Sequence, residues 1–224
     1  MPKRGKLKKY FSAWKPLIYY LVFYIVFSII YTLIQQFNLS RAVLIKAITF
    51  EYIPLATFFV IFYISYYLFI ASPFFFFRKN KTTIYKFLQV YILIALISCI
   101  FYLVFPIQIP RPELPAASGI KTVFYELLLL IYHKDLPLNT YPSLHVGFSL
   151  AAALAYYRLR KKWLVFAVPV FLLILLSTVM VRQHIILDAV GAIAISLSAY
   201  LLVFKEDIFG KIKNIFSGSK NKKK

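Results

Sequence analysis

Residues 87–105 read FLQVYILIALISCIFYLVF, nineteen positions with one amide and no charge. At 1.5 Å per residue, a helix of about 20 such residues crosses the roughly 30 Å hydrocarbon core of a bilayer. A helix is also the form that satisfies every backbone N–H and C=O where water is absent. Working outward from this block, similar apolar runs recur along the chain. They predict six spans at roughly 16–36, 54–77, 84–106, 142–157, 163–181 and 185–204. The fourth is short for a full crossing, so it is expected to begin below the membrane surface, where a recessed site would lie. The predicted fold class is an all-α integral membrane protein, a bundle of six transmembrane helices. Its membrane domain covers residues 16–204, between a basic N-terminal tail (1–15) and a basic C-terminal tail (205–224). No internal repeat is visible, and the final SGSKNKKK (217–224) is low-complexity sequence expected to be disordered.

Composition agrees with a membrane chain. Hydrophobic residues make up 62% of the 224 and charged residues 15%, where a soluble domain carries about a quarter charged. The net charge is +20, but the Lys and Arg residues cluster at the ends of apolar blocks and in the tails. No Arg-and-aromatic module lies between them. This pattern argues against a nucleic-acid partner and for anionic lipid headgroups. It also sets an orientation. Of the 27 basic residues, 21 fall on the side of the N-terminal tail, the second-to-third loop, the fourth-to-fifth loop and the C-terminus. The remainder are Arg41, Lys46, Arg111, Lys121, Lys134 and Arg182. By the positive-inside rule both termini are expected in the cytoplasm of a multi-pass protein of the plasma (inner) membrane, with Trp14 and Trp163 as interfacial anchors. The N-terminus resembles the charged start of a signal peptide. Its apolar run is too long, however, and no small-residue cleavage pattern follows, so a retained first span is expected. Cys99 has no partner for an internal disulfide and reads as a small packing residue.

This orientation places the connection 107–141 and the turn around Arg182 and His184 together on the outer face. Within the connection, GIKTVFYELLLLIYH (119–133) predicts a short interfacial helix that covers a site or guides a lipid into one. Three polar places then stand out. In NTYPSLHVGFSL (139–150), Asn139 or Thr140 is positioned to cap a helix with Pro142 in its first turn. Ser143 and Leu144 would then offer N–H groups to an anion, with His145 in the same turn. A cap followed by an ordinary histidine is the simpler alternative. In STVMVRQHIILDAVGA (177–192), His184 and Asp188 are four apart on one helix face. The carboxylate can fix the imidazole tautomer and leave the other nitrogen as nucleophile or base, although a structural His–Asp pair would look the same. In FPIQIPRPEL (105–114), Arg111 is held between Pro110 and Pro112. It is suited to two parallel hydrogen bonds to phosphate or, more simply, to headgroup contact. Converging on one face, the three form a phosphate cradle with an acid and a nucleophile.

With these residues the chain resembles the type 2 phosphatidic acid phosphatase superfamily, whose motifs read K-x6-R-P, P-S-G-H and S-R-x5-H-x3-D. The second appears as Pro142, Ser143, Leu144 and His145. The third appears as Ser177, His184 and Asp188 at the family spacing, and the first survives as Arg111 and Pro112. The resemblance covers residues 100–195. Val104, Leu144 and Thr178 replace the family's lysine, glycine and arginine. A cradle lacking those two cations would hold phosphate more weakly, and Arg182, near His184, is the candidate replacement. The wording Y-P-S-L-H looks more like the inositol phosphorylceramide synthase branch, whose members transfer a phospho-headgroup to a lipid alcohol.

The resemblance implies that His184 attacks phosphorus, Asp188 orients it, and His145 protonates the leaving alcohol. Water or another alcohol would resolve the phosphohistidine. Arg111, Arg182, Ser143 and the N–H of Leu144 would hold the phosphate oxygens, with Tyr141 and Ser177 as further candidate contacts. No cofactor is implied. No metal site is expected either, because His133 lies outside every motif and the acids form no coordination set with the histidines. Three functions follow: a lipid phosphate phosphatase acting on a phosphomonoester or diphosphate lipid, a phosphotransferase, and a non-catalytic lipid-binding or transport protein that has no need of His184. The sequence names no particular lipid and no oligomeric state. Gly147 and Gly191 are expected to permit close helix packing, and Phe74 to Phe77 to be lipid-facing bulk.

Overall fold

The computed structural model describes residues 4–45, 52–114 and 119–220, with side chains over 12–45, 52–114 and 119–208. Lys3, Lys46 and the tail residues 221–224 lie outside the described residues, as do the side chains of most of both basic tails. Seven α-helices are described: α1 Arg4–Asn38, α2 Val60–Phe76, α3 Lys81–Val104, α4 Lys121–Lys134, α5 Leu144–Leu159, α6 Leu164–Met180 and α7 Ile186–Lys220. Five stretches are long and apolar enough to cross a membrane: Ser12–Asn38, Thr57–Phe76, Lys81–Val104, Lys161–Met180 and Ile186–Ile208.

The fourth expected span is α5, and its 16 residues reach only about 24 Å at 1.5 Å per residue, short of a bilayer core. It compensates by burial. Eleven of its residues are buried, and it packs against α2, α3, α6 and α7. A helix apolar on all sides belongs inside a bundle. The run Ala151, Ala152, Ala153 and Ala155 keeps its flanks thin enough for neighbours on every side. At Gly147 the approach is closest. A Cβ there would stand 3.2 Å from both Ile94 and the Ser196 hydroxyl, and that hydroxyl donates to the Gly147 carbonyl at 3.0 Å.

The outer helices show the reverse pattern. In α1, Ile18, Leu21, Val22, Ile25, Ile29 and Leu33 are exposed, whereas Tyr20, Phe27 and Ile34, spaced seven apart, face inward. Aliphatic side chains turned outward over this many positions fit a hydrocarbon solvent. The Phe run divides in the same way: Phe75 and Phe76 are exposed, but Phe74 and Phe77 are core residues. The expectation of uniform lipid-facing bulk fails because neighbouring helical positions point 100° apart.

Two elements were not anticipated. A two-residue parallel pairing, β1 (Val43–Leu44) with β2 (Ile107–Gln108), ties the chain leaving α1 to the chain leaving α3. Both helices exit at the same end of the bundle, so their continuations run in parallel. Also, α2 begins at Val60 rather than near 54. Pro54 to Ala56 precede it as a non-helical segment, pinned by the Ala56 N–H to the Met180 carbonyl at 3.1 Å.

The bundle has two chemically distinct ends. At one, Lys86 bonds Asp207 at 2.9 Å and Arg158 pairs with the same carboxylate, joining α3, α5 and α7. Arg78 lies over the Trp14 ring at 4.1 Å, Lys81 donates to Ser12, and Trp163 stacks on Tyr156. Asp207→Asn removes the shared negative charge and one of the two acceptor oxygens, leaving both cations without a counter-charge. Because the pairs are partly exposed, the expected cost is modest: a fall of a few degrees in the melting temperature in detergent, with the fold retained. At the other end lie the polar residues picked out from the sequence.

Candidate active site

The site is built on two helix starts. Asp188, in the first turn of α7 and 1% exposed, accepts through Oδ2 from His184 Nδ1 at 3.2 Å and from the Ile185 N–H at 3.1 Å. The expectation of two residues on one helix face is corrected here. His184 precedes the helix, and Asp188 reaches back over its own N-terminus as a cap does. The helix end supplies the second N–H and offsets part of the cost of burying a carboxylate. A carboxylate only accepts, so Nδ1 carries the proton and Nε2 keeps its lone pair. The His184 N–H donates to the Thr178 carbonyl at 3.0 Å. Arg182, at φ 53°, makes the left-handed turn between them.

The second start is α5. Its N-cap is Ser143, whose Oγ accepts from the Val146 N–H at 3.5 Å. Pro142, Asn139 and Thr140 lie before the cap, which corrects the expected helix start. The Ser143 N–H is committed to the Asp188 carbonyl at 3.1 Å. At the start of α5, the N–H groups left without an acceptor among the described residues are therefore those of Leu144 and His145, not of Ser143 and Leu144. The same bond couples the two helix starts directly. Asn38 supports the loop from below, donating to the Tyr102 carbonyl and to Asn139 Oδ1, both at 2.9 Å. Tyr102 in turn donates to the Pro142 carbonyl at 2.7 Å.

His145 is 8% exposed and lies between two tyrosine rings, with centroids 4.1 Å from Tyr63 and 4.2 Å from Tyr66. Its ring centroid is 6.0 Å from that of His184. The two rings share no hydrogen bond, and both face a cavity of about 200 Å³ between α1, α2 and the end of α4. His145 Nε2 is buried with no hydrogen-bond partner, which leaves it available to a ligand oxygen.

The other sequence candidates are placed differently. Arg111 Nη1 donates to the Tyr132 carbonyl at 2.5 Å, and Nη2 donates to the Asp135 carbonyl and to Gln183 Oε1 at 3.1 Å. Its guanidinium lies over the Tyr132 ring at 4.1 Å. It braces the end of α4 against the residue before His184 and does not line the cavity. Burial pulls the Arg111 guanidinium below its ordinary value, and Asp135 pulls it back up. Burial pushes Tyr132 up to about 12, against Arg111 and Arg182, so its hydroxyl remains a donor to the Val181 carbonyl at 2.7 Å. Arg182 reaches the Ile53 carbonyl at 3.3 Å. The Ser177 hydroxyl bonds back to the Ile174 carbonyl at 2.6 Å within its own helix, the usual satisfaction of a buried serine.

Tyr141 stands edge-on to Phe101 at 5.5 Å and lies flush on Gly191, where a Cβ would meet its ring and hydroxyl at 2.6–2.7 Å. Gly191→Ala must therefore displace Tyr141, one residue from Pro142. Overpacking of this kind costs about 1–3 kcal/mol. The melting temperature should fall, and Tyr141→Ala in the same chain should restore most of the loss.

One group escaped the sequence reading. Asp135, just past α4, accepts from the Tyr31 hydroxyl at 3.0 Å and Gln35 Nε2 at 3.1 Å on one oxygen, and from the Tyr63 hydroxyl at 3.0 Å on the other. The signal was present in α1. Tyr24, Ser28, Tyr31 and Gln35 recur at four- and three-residue steps, a polar stripe down an otherwise apolar helix. Among the described residues, no three His, Cys, Asp or Glu side chains gather in a way that could hold a metal ion.

A family model described as the PAP2 superfamily matches residues 28–202. No curated protein and no solved structure matches the chain. The match spans most of the chain, both helix starts and most of the residues that line the cavity, and the chain belongs to the PAP2 superfamily. Its members are phosphoesterases of the lipid-phosphatase type, and the five long apolar helices make this one an integral membrane protein.

Proposed function

We propose that this PAP2-superfamily protein hydrolyses a phosphate ester of a membrane lipid, a phosphomonoester or diphosphate, through a phosphohistidine at His184. The observation that carries the reading is the His184–Asp188 bond of 3.2 Å, with the unpartnered imidazole of His145 facing it across one cavity. Nε2 of His184 attacks phosphorus, and the bond from phosphorus to the lipid oxygen breaks. His145 gives that oxygen its proton. Water then attacks the phosphohistidine and yields a proton to His145. The P–N bond breaks, and inorganic phosphate leaves. The charge that develops on phosphate oxygens falls at the start of α5, where the N–H groups of Leu144 and His145 stand free at a positive helix end. Ser143 sets that helix start. Arg111 and Arg182 contribute charge around the turn that holds His184. No metal ion takes part in these steps.

The wider reading includes six spans, with α5 as the recessed fourth, and both termini in the cytoplasm. The site then faces outward from the inner membrane. The separation of the basic end from the site end supports this arrangement.

Transfer to a lipid alcohol is the second reading, in keeping with the resemblance to the inositol phosphorylceramide synthase branch. What favours it is that the cavity continues past His145 between α1 and α2, giving room to an acceptor larger than water. The test is phosphate release from a panel of lipid phosphates by protein in detergent with EDTA, beside His184→Ala. Release by wild type alone supports hydrolysis. Headgroup exchange that needs an added lipid alcohol moves the assignment to transfer. Inactivity in both assays supports a non-catalytic lipid-binding or transport protein.

A further inference from the structure

The two histidines of the site are held in different ways. His184 is oriented through Nδ1 by Asp188. Among the described residues, His145 has no such partner, and its buried Nε2 bonds nothing. The second torsion of a histidine is broad, yet a proton donor must stand within about 2.6–3.2 Å of the oxygen it serves. Something other than a hydrogen bond therefore aims this ring.

What touches His145 is aromatic. Tyr63, Tyr66 and Tyr67 fall three and four positions apart in α2, on one face of that helix. The rings of Tyr63 and Tyr66 lie 4.1 and 4.2 Å from the imidazole, inclined to it by 27° and 40°, and Tyr67 stands edge-on at 6.3 Å. Ring contacts of this kind have preferred geometries and resist rotation. Tyr63 and Tyr66 are themselves buried, at 0% and 3% exposed, so neither has room to turn aside. The ring of Tyr63 is also anchored at its far end, where its hydroxyl donates to Asp135 Oδ2 at 3.0 Å. Asp135 is fixed in turn from α1, by the Tyr31 hydroxyl at 3.0 Å and Gln35 Nε2 at 3.1 Å on Oδ1.

A carboxylate is a costly anchor among membrane helices, and no Lys or Arg of the described residues comes within 4.0 Å of this one. A neutral acceptor would stitch the helices together at lower cost. What the charge adds is stiffness, since hydrogen bonds to an ionised acceptor are shorter and stronger than neutral ones. We propose that Asp135 is a positioning residue for the reaction: through the Tyr63 hydroxyl it sets the ring that clamps His145, and so aims Nε2 at the lipid oxygen that leaves. This rests on the phosphohistidine reading, in which His145 is the acid, and deepens it.

The test compares two esters. Full-length protein in maltoside detergent is assayed with dioctanoyl-phosphatidic acid, whose leaving alkoxide needs a proton, and with 4-nitrophenyl phosphate, whose phenolate leaves without one. The readout is kcat/KM, which covers the steps up to loss of the leaving group and omits hydrolysis of the phosphohistidine. Tyr63→Phe keeps the ring and cuts the link to Asp135. Asp135→Asn leaves one acceptor oxygen for donors that now use two. Because small misplacements of a reacting group are felt strongly, each should lose about five- to twenty-fold on phosphatidic acid and less than about two-fold on the nitrophenyl ester. His145→Ala should show the same split more steeply. Tyr63→Phe added to His145→Ala should lose nothing further, since its effect runs through the missing ring. A strut with no part in aiming His145 gives equal losses on the two esters, or losses that add in the His145→Ala background, and either result overturns the proposal. His184→Ala separates the two readings. Activity retained there removes the phosphohistidine and the proposal with it, whereas an inactive His184→Ala beside equal losses in Tyr63→Phe removes only the proposal.

Discussion

His184→Ala should reduce lipid-phosphate turnover by at least roughly 10⁴-fold, the scale on which loss of a covalent nucleophile is felt when the rest of the site remains. The size follows from the chemistry. With no Nε2 at that position, no P–N bond forms, and what remains is binding and the charge of a helix start. The fold should survive. The His184 side chain makes one hydrogen bond of 3.2 Å, and its main-chain bond to Thr178 is kept by alanine. The measurement is phosphate release beside a binding titration. Turnover should collapse while lipid affinity stays within a few-fold. A second readout is covalent: wild type quenched during turnover with radiolabelled phosphate should retain label that is stable to base and lost in acid, and His184→Ala should retain none. Turnover within ten-fold of wild type would remove His184 from the nucleophile's place.

Much of this was legible in the chain because membrane helices leave a strong signal. The block 87–105 has no alternative in a bilayer, and the helix found there, Lys81–Val104, overlaps it almost completely. The histidines were legible for a similar reason: in a chain with so few polar residues, His145 and His184 stand out. What the sequence hid was partnership. Arg111 between two prolines looks free for phosphate, yet the end of α4 folds back and occupies it with carbonyls, a contact between residues more than twenty positions apart. Asp135 looks like an ordinary loop acid in HKDLP. Its meaning comes from Tyr31 and Gln35, about a hundred positions earlier. Spacing reports neighbours along one helix, and these pairs are set by which helices meet. The helix start at Ser143 was misplaced by a few residues because Asn139, Thr140 and Ser143 are all competent caps. The choice among them was made by the Asp188 carbonyl, which takes the Ser143 N–H.

That bond makes Asp188→Asn the most discriminating substitution of a residue that does not itself react. An amide keeps the volume and can keep its oxygen toward the Ile185 N–H, and the main-chain bond to Ser143 is untouched. The change falls on His184. Because Oδ2 accepts from both donors, an amide oxygen in its place keeps both bonds with Nδ1 still the donor, and the NH₂ group takes the position of Oδ1. What is lost is the negative charge beside a ring that becomes cationic as Nε2 bonds phosphorus. A hydrogen bond to a charged group is worth about 1.5–3 kcal/mol against about 0.5–1.5 for a neutral one, and a loss of roughly ten- to a hundred-fold in kcat is expected, with KM and melting temperature little changed. Asp188→Ala should differ in kind. It also removes the acceptor for Ile185 and leaves a partly buried N–H unpaired, at most about 1–3 kcal/mol, so it should lower the melting temperature as well as the rate. If Asp188 were only a strut, the two variants would lose stability in step with activity, and asparagine, the better isostere, would be nearly silent. A kinetic loss in Asp188→Asn without a thermal one assigns the negative charge of the carboxylate to the reaction at His184.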